Sequence, residues 1–275
     1  MSKLLFLILK LKVMIPEEIY HYTSINSLAY ILNYKTLRFT ILSNLNDPLE
    51  GKTEDVEYCE KLVYSSSWSI SEKDTIPMWK LYTDLKGVRL KINPKNLFAD
   101  STEIREENYG LHNKYFVSTL NRPLSLKVKS IDGLNVRYEA SDKIFGPDKV
   151  KYIEEGEEYP SVITRLEEGM QGGKLELHRV GLAKNKNWKF ENEIRFRIPF
   201  QTDIITMNGM TPKEFVSIYE FESSFYDVDI NPKVFETAEI MLAPLCEKSD
   251  EIIVNSLIQE FAPNIKITRS NINIK

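Results

Sequence analysis

Two glutamates, Glu191 and Glu193, are followed at the same two-residue spacing by Arg195 and Arg197. Residues i and i+2 of a strand share a face. On one strand, these four residues would therefore put both carboxylates and both guanidiniums on one side. Such a row is either a surface charge ladder or a carboxylate pair in a cleft. In a cleft, one carboxylate could stabilise a cationic transition state while the other orients or activates an acceptor. A second cluster, Tyr20-His21-Tyr22-Thr23, ends a short strand just before a helix. His21 can hydrogen-bond a ligand hydroxyl and a tyrosine can stack on a planar ring. The bland alternative is a half-buried aromatic strand with Thr23 as helix cap. A third, Ser65 to Ser71 around Trp68, alternates serines along a strand. Ser67 and Ser69 then share a face, which either lines a pocket or meets solvent. No GxSxG elbow is present to make one of them a hydrolase nucleophile.

The elements that must position these residues are short. Glu18–Tyr22 is a strand candidate, and Thr23 or Ser24 can cap a helix whose Ile25, Leu28, Ile31 and Leu32 share a face. Residues 37–42 and 64–70 read as strands, and a turn spans Ser43 to Pro48. Helix is predicted over 49–62 and, from Pro77 at a first turn, through PMWKLYTD. Residues 88–92 alternate as a strand after Gly87. Residues 115–120, 124–128 and 134–138 are short strands, the last two flanking a turn at Asp132-Gly133, in a small antiparallel insertion. Helix is predicted over 150–169 despite Pro160, and again over 175–182. Residues 238–242 and 265–267 are strands around a helix at 250–260. Trp188 and Phe190 read as core anchors before the Glu-Arg strand. The whole is α+β.

The chain has 275 residues, 42% hydrophobic and 28% charged, which suits one soluble globular domain rather than a disordered or fibrous chain. Lys+Arg 36 against Asp+Glu 40 leaves a net charge of -4, so no general basic excess serves phosphate-backbone binding. Cys59 and Cys246 lie far apart with no CxxC, which reads as two reduced thiols in a cytoplasmic protein. Three histidines, His21, His112 and His178, are too few for an ordinary multi-histidine metal site. Asp47 and Glu50 sit on the Asn46-Asp47-Pro48 turn, where a cap is the simpler role and cation binding the alternative. No GxGxxG and no GxxxxGKS phosphate cradle occurs. The apolar run from Leu4 to Val13 is too short for a membrane span and reads as a strand or short helix. No membrane association is expected, and Met14 is an alternative start.

The series HYTSINSLAYIL, LSNLNDPLEG, SWSISEKDTIPMWKLYTDLKGVRL and KNKNWKFENEIRFRI resembles a widespread bacterial domain-of-unknown-function family. The resemblance covers roughly residues 18–90 and 180–270. That family in turn is similar to ADP-ribosyltransferases, through the HYT opening and the Glu191-Asn192-Glu193 signature. The resemblance implies a single domain over 1–275, built as split antiparallel sheets with flanking helices and a variable insertion at about 100–180. It implies NAD as substrate. His21, Tyr22, Thr23, Ser67, Ser69 and Tyr82 would then hold the cofactor, with Glu193 as catalytic acid, Glu191 orienting the acceptor and His21 assisting. Lys35, Arg38 and Lys184 would be candidates for the NAD phosphates. The acceptor would be a macromolecule, protein or nucleic acid, and the role that of a toxin or antiphage defence effector.

Two other readings stand beside it. One is a catalytically inactive nucleotide-binding module of a defence system. The other is a metal-dependent nuclease using Asp47, Glu50, Glu191 and Glu193. The transferase reading requires His21, Ser67 and Glu193 to converge on one cleft. The nuclease reading requires the four carboxylates to converge instead.

Overall fold

A computed structural model describes residues 15–95, 97–98, 102–108, 111–128, 137–165, 173–200, 212–221 and 223–274. The first run of elements is β1 (Ile19–Thr23), α1 (Ile25–Tyr34), β2 (Thr36–Ile41), β3 (Val63–Ser69), α2 (Ile76–Thr83) and β4 (Val88–Ile92). The middle of the chain forms β5 (Thr102–Asn108), β6 (Leu111–Val128), β7 (Arg137–Lys149), β8 (Lys151–Ile153), β9 (Ile163–Arg165), β10 (Gly173–Leu175) and β11 (Ala183–Asn185). The last part holds β12 (Glu193–Pro199), α3 (Pro212–Ile218), β13 (Tyr219–Phe221), β14 (Phe225–Asp229), β15 (Glu239–Leu242), α4 (Lys248–Phe261) and β16 (Lys266–Arg269). The architecture is α+β.

Twelve strands make one sheet, its main path β13-β6-β7-β12-β3-β1-β4-β15-β16, with β2 and β14 paired off that path and β5 on β6. One edge of β3 follows β12 along its whole length, from Glu193↔Ser69 to Pro199↔Val63. Its other edge is shared. β1 meets it only at Tyr20↔Ser69, and β2 only at Thr40↔Ser65 and Ile41↔Tyr64. Between these contacts β1 and β2 part, and the sheet is split at the middle of β3.

The register sorts side chains by face. His21, Trp68, Ile194, Phe196 and Ile198 fall on one side, and Trp68 and the three β12 residues among them belong to the hydrophobic core. Tyr20, Tyr22, Ser65, Ser67, Ser69, Glu193, Arg195 and Arg197 fall on the other. That second face is also covered, because β12 is buried at all seven positions. Of the two alternatives for the Glu-Arg row, the surface charge ladder fails: Arg195 is 0% and Arg197 1% exposed.

Helix α1 forms where the sequence places it, with Ser24 rather than Thr23 capping and Leu28, Ile31 and Leu32 buried. Helix α2 begins at Ile76 with Pro77 in its first turn. Four expectations fail. Residues 49–62 hold turns and one 3-10 turn, Cys59–Lys61, instead of a helix. Gly51 and Tyr58 adopt positive φ, and the Thr53 hydroxyl bonds the Val56 backbone both ways, diverting groups a helix would use. The described part of 150–169 is strands and turns. Residues 175–182 give only the 3-10 turn Leu177–Arg179, ended by Gly181 at φ 79°. The short strands expected at 115–128 are one long strand, β6, whose register breaks between Thr119 and Leu124, around Pro123, which has no amide proton to donate. Through β7, which pairs with β12, the expected insertion extends the main sheet. The expectations for Leu4–Val13 and for the turn at Asp132-Gly133 lie outside the described residues.

Candidate functional site

Where β1 and β2 part, a cavity of about 170 Å³ opens. Its walls include Tyr20, His21, Tyr22, Leu45, Asn46, Trp68, Met78 and Tyr82, with Ser65 to Ser69 along one side. Lys184, Glu191, Glu193 and Arg195 form its charged part, and Arg38 also lines it. His21 and Glu193 belong to opposite faces of the sheet by register. They reach the same cavity because it lies in the gap between strands rather than on either face.

His21 occupies the place that a paired strand would have filled. Its Nδ1 lies 3.1 Å from the carbonyl oxygen of Ser67, and its ring packs on Trp68 with centroids 4.9 Å apart. A carbonyl only accepts, so Nδ1 carries the proton. Burial lowers the His21 pKa against the opposing pull of that carbonyl, so the ring is neutral at neutral pH. Its Nε2 is then an acceptor on a cavity-lining residue, with no protein partner among the described residues.

The two glutamates are not neighbours on one strand face. Glu191 ends a 3-10 helix, Lys186–Glu191, Asn192 turns the chain at φ 45°, and Glu193 is the first residue of β12. The carboxylates nevertheless meet, because both bind one cation. Lys184 Nζ donates to Glu191 Oε2 at 2.7 Å and to Glu193 Oε2 at 3.3 Å. Arg195 grips Glu193 from the other side, Nε to Oε1 at 2.6 Å and Nη2 to Oε2 at 2.9 Å. The same guanidinium donates through Nη1 and Nη2 to Glu50, and through Nη1 to the Gly181 carbonyl at 2.8 Å. The Tyr82 hydroxyl donates to Glu191 Oε1. The backbone N–H of Glu193 donates to Tyr152 Oη at 2.7 Å.

These surroundings drive the two acidities apart. Burial, then the charge of Glu193, push Glu191 up to about 7 against the pull of Lys184. Burial acts upward on Glu193 too, but Arg195 and Lys184 outweigh it and hold that carboxylate at about 2. Glu193 is thus a permanent anion, while Glu191 exchanges a proton near neutral pH. Paired carboxylates separated in this way are the usual arrangement for dividing acid–base work from charge stabilisation.

The cavity thus gathers Glu193, Glu191, His21, Tyr22, Ser67, Ser69 and Tyr82 of the residues singled out by sequence, and leaves Thr23 out. Lys35 is also elsewhere. It closes α1 in a left-handed conformation and donates to the Phe261 carbonyl of α4 at 2.7 Å. Arg38 lies against Asp227 (2.8 and 2.9 Å) and over the Phe225 ring at 3.8 Å. Lys184 is engaged with carboxylates rather than facing a phosphate. Phe190, half-buried, packs against the core as expected, whereas Trp188 is half-buried and not part of it. Asp47 caps the turn, accepting from the Leu49 N–H at 3.0 Å, and does not line this cavity. Glu50, Glu191 and Glu193 do cluster, but Lys184 and Arg195 fill the positions between them, and no group of three ligands suited to a metal occurs among the described residues. Sequence reasoning missed Glu50 and Arg195 as one clamp, and Tyr152. The buried Arg at i+2 from Glu193 was visible as a spacing but not as a bond.

Residues 78–196 match the model of a family described as protein of unknown function (DUF2971). The matched stretch carries Tyr82, Lys184, Glu191, Glu193 and Arg195, and stops short of His21, Ser67 and Ser69. It runs through the region expected to be a variable insertion. No curated protein and no solved structure matches the chain.

Proposed function

We propose that the chain binds NAD with its nicotinamide riboside in the cavity at the split of the sheet, and transfers ADP-ribose to a macromolecular acceptor. One observation carries the reading: His21, Ser67, Tyr82, Glu191 and Glu193 line a single cavity although they come from β1, β3, α2, a 3-10 turn and β12. The parting of β1 and β2 supports an ADP-ribosyltransferase-like split sheet. At about 170 Å³ the cavity is below the roughly 300–1,000 Å³ of pockets for drug-sized ligands, so it suits one ring and its sugar. The phosphates and adenine would lie outside it, past Arg38.

The residue chemistry fits glycosidic cleavage. When the C–N bond to nicotinamide breaks, the electron pair leaves with the ring nitrogen and nicotinamide departs neutral. The ribose carbon becomes cation-like, and the fixed anion of Glu193 opposes that charge. The His21 Nε2 accepts from a ribose hydroxyl. The proton shed by the attacking acceptor goes to Glu191 in its ionised form. A toxin or antiphage effector role follows from the same resemblance.

A second reading has its own support. Arg195 and Lys184 already occupy both oxygens of Glu193, which favours a module that binds a nucleotide without turnover. One experiment separates the two: free nicotinamide measured from ring-labelled NAD, with and without cell lysate, for the native chain and Glu193→Gln. Release that falls by about 10²-fold or more in the variant supports the transferase. Binding by calorimetry with no release supports the module. Neither binding nor release removes NAD as the ligand.

A further inference from the structure

We propose that Lys184 is a positioning residue of this site: its ammonium, set between Glu191 and Glu193, holds the two carboxylates side by side and decides which of them carries a proton. The inference deepens the reading of the cavity as a reaction site.

Lys184 arrives from outside the main sheet. It lies on β11, which pairs in parallel with β8 as a separate two-stranded ribbon, Lys184 opposite Tyr152. Its side chain is 3% exposed, and the Trp188 ring lies 4.7 Å from its nitrogen. An ammonium has three donors and no acceptor. Here one meets Glu191 at 2.7 Å and one Glu193 at 3.3 Å, with Glu50 at 3.8 Å. Each glutamate has a second partner of its own, Tyr82 for Glu191 and Arg195 for Glu193. Among the described residues Lys184 is the group that bonds both.

Charge balance gives this position its consequence. Glu50, Glu191 and Glu193 face Lys184 and Arg195, three carboxylates against two cations. A buried cluster of that kind favours taking up one proton. Arg195 is shared by Glu50 and Glu193, so Glu191 is the carboxylate that leans on Lys184 alone for a cation. The groups facing Glu191 are Lys184 from β11, Glu193 from β12, Tyr82 from α2 and Tyr152 from β8, while Glu50 and Arg195 connect to it only through Lys184 and Glu193. Removing Lys184 leaves two adjacent anions with no cation between them, and the proton stays on Glu191 to higher pH.

The test needs no substrate. The full chain is labelled with carbon-13 at glutamate side-chain carboxyls and titrated by NMR as native protein, Glu191→Gln and Lys184→Met. We expect one carboxyl to titrate near neutral pH, to vanish in Glu191→Gln, and to move up by at least about one pH unit, tenfold in proton affinity, in Lys184→Met. Lys184→Gln keeps a donor but not the charge, and should give the same shift if the Met variant does not fold. An unchanged midpoint in a folded variant, or no glutamate titrating near neutrality in the native chain, overturns the proposal. The upward shift together with an absence of nicotinamide release would overturn the transferase reading alone.

Discussion

Glu193 and Arg195, two residues apart on β12, are joined by two hydrogen bonds, at 2.6 and 2.9 Å, inside a fully buried strand. Arg195 is also the bridge to Glu50, so it neutralises two carboxylates that share no other guanidinium. Replacing it with leucine leaves both with Lys184 as their one remaining cation among the described residues, at 3.3 Å from Glu193 and 3.8 Å from Glu50. Arg195→Leu should cost about 3–5 kcal/mol, the usual cost of removing one partner from a buried ion pair. Denaturant midpoints at pH 7 check this, and a loss under about 1 kcal/mol would mean that the clamp contributes little.

His21 is expected to act on ligand and fold together. His21→Ala should weaken NAD binding, and it leaves the Ser67 carbonyl without its partner at about 1–3 kcal/mol. Calorimetric titration alongside thermal unfolding measures both. His21→Gln, which can donate to the same carbonyl, should restore more of the stability than of the binding.

Stability should fall as pH rises through neutrality. Glu191 has a folded-state pKa of about 7, above the ordinary carboxylate value of 4.5. The native state therefore binds a proton that the unfolded chain releases. That contribution is complete below about pH 4.5 and is lost as pH rises through about 7. Glu193, held at about 2, works oppositely: its contribution is present above about 4.5 and is lost as pH falls through about 2. Urea midpoints at pH 5 and pH 8 should therefore drop more for the native chain than for Glu191→Gln. Equal drops would show that Glu191 does not titrate in this range.

Two glycines fix the backbone around Arg195. Gly181 stands at φ 79°, with Leu42 2.8 Å and Arg195 Nη1 3.4 Å from where a Cβ would be. At Gly146, φ 113°, a Cβ would lie 2.3 Å from the Arg195 carbonyl oxygen. Alanine at either position should destabilise by more than about 1 kcal/mol. Gly146→Ala should be worse, because the obstacle there is backbone. Thermal midpoints rank the two, and the reverse order would contradict this geometry.

The sequence carried the strands and helices that begin with a clear cap or alternate cleanly. Ser24, Pro77 and the residues at 88–92 are local signals, read correctly from neighbours alone. The segment 49–62 misled because its apolar spacing is helical while Gly51, Thr53 and Tyr58 divert the backbone. The site was legible as a set of residues and not as a geometry. Glu191 and Glu193 were expected on one strand face, yet Asn192 turns between them and Lys184 reunites them from another element. Glu50 is 145 positions from Arg195, and no spacing rule reaches that far. Trp188 looked like core because it is large and apolar, whereas its half-exposed ring covers a lysine.

The Ser67 carbonyl gives the parting of β1 and β2 a further meaning. A stretch of strand without a neighbour is an open edge, and open edges recruit strands from other chains. On β3 that edge faces the gap, and the imidazole of His21 takes the carbonyl that an incoming strand would pair with. The ring is thus a stopper against self-association as well as part of the cavity wall. A chain with a small residue at position 21 would have an aggregation hazard built into the wall of its own cavity.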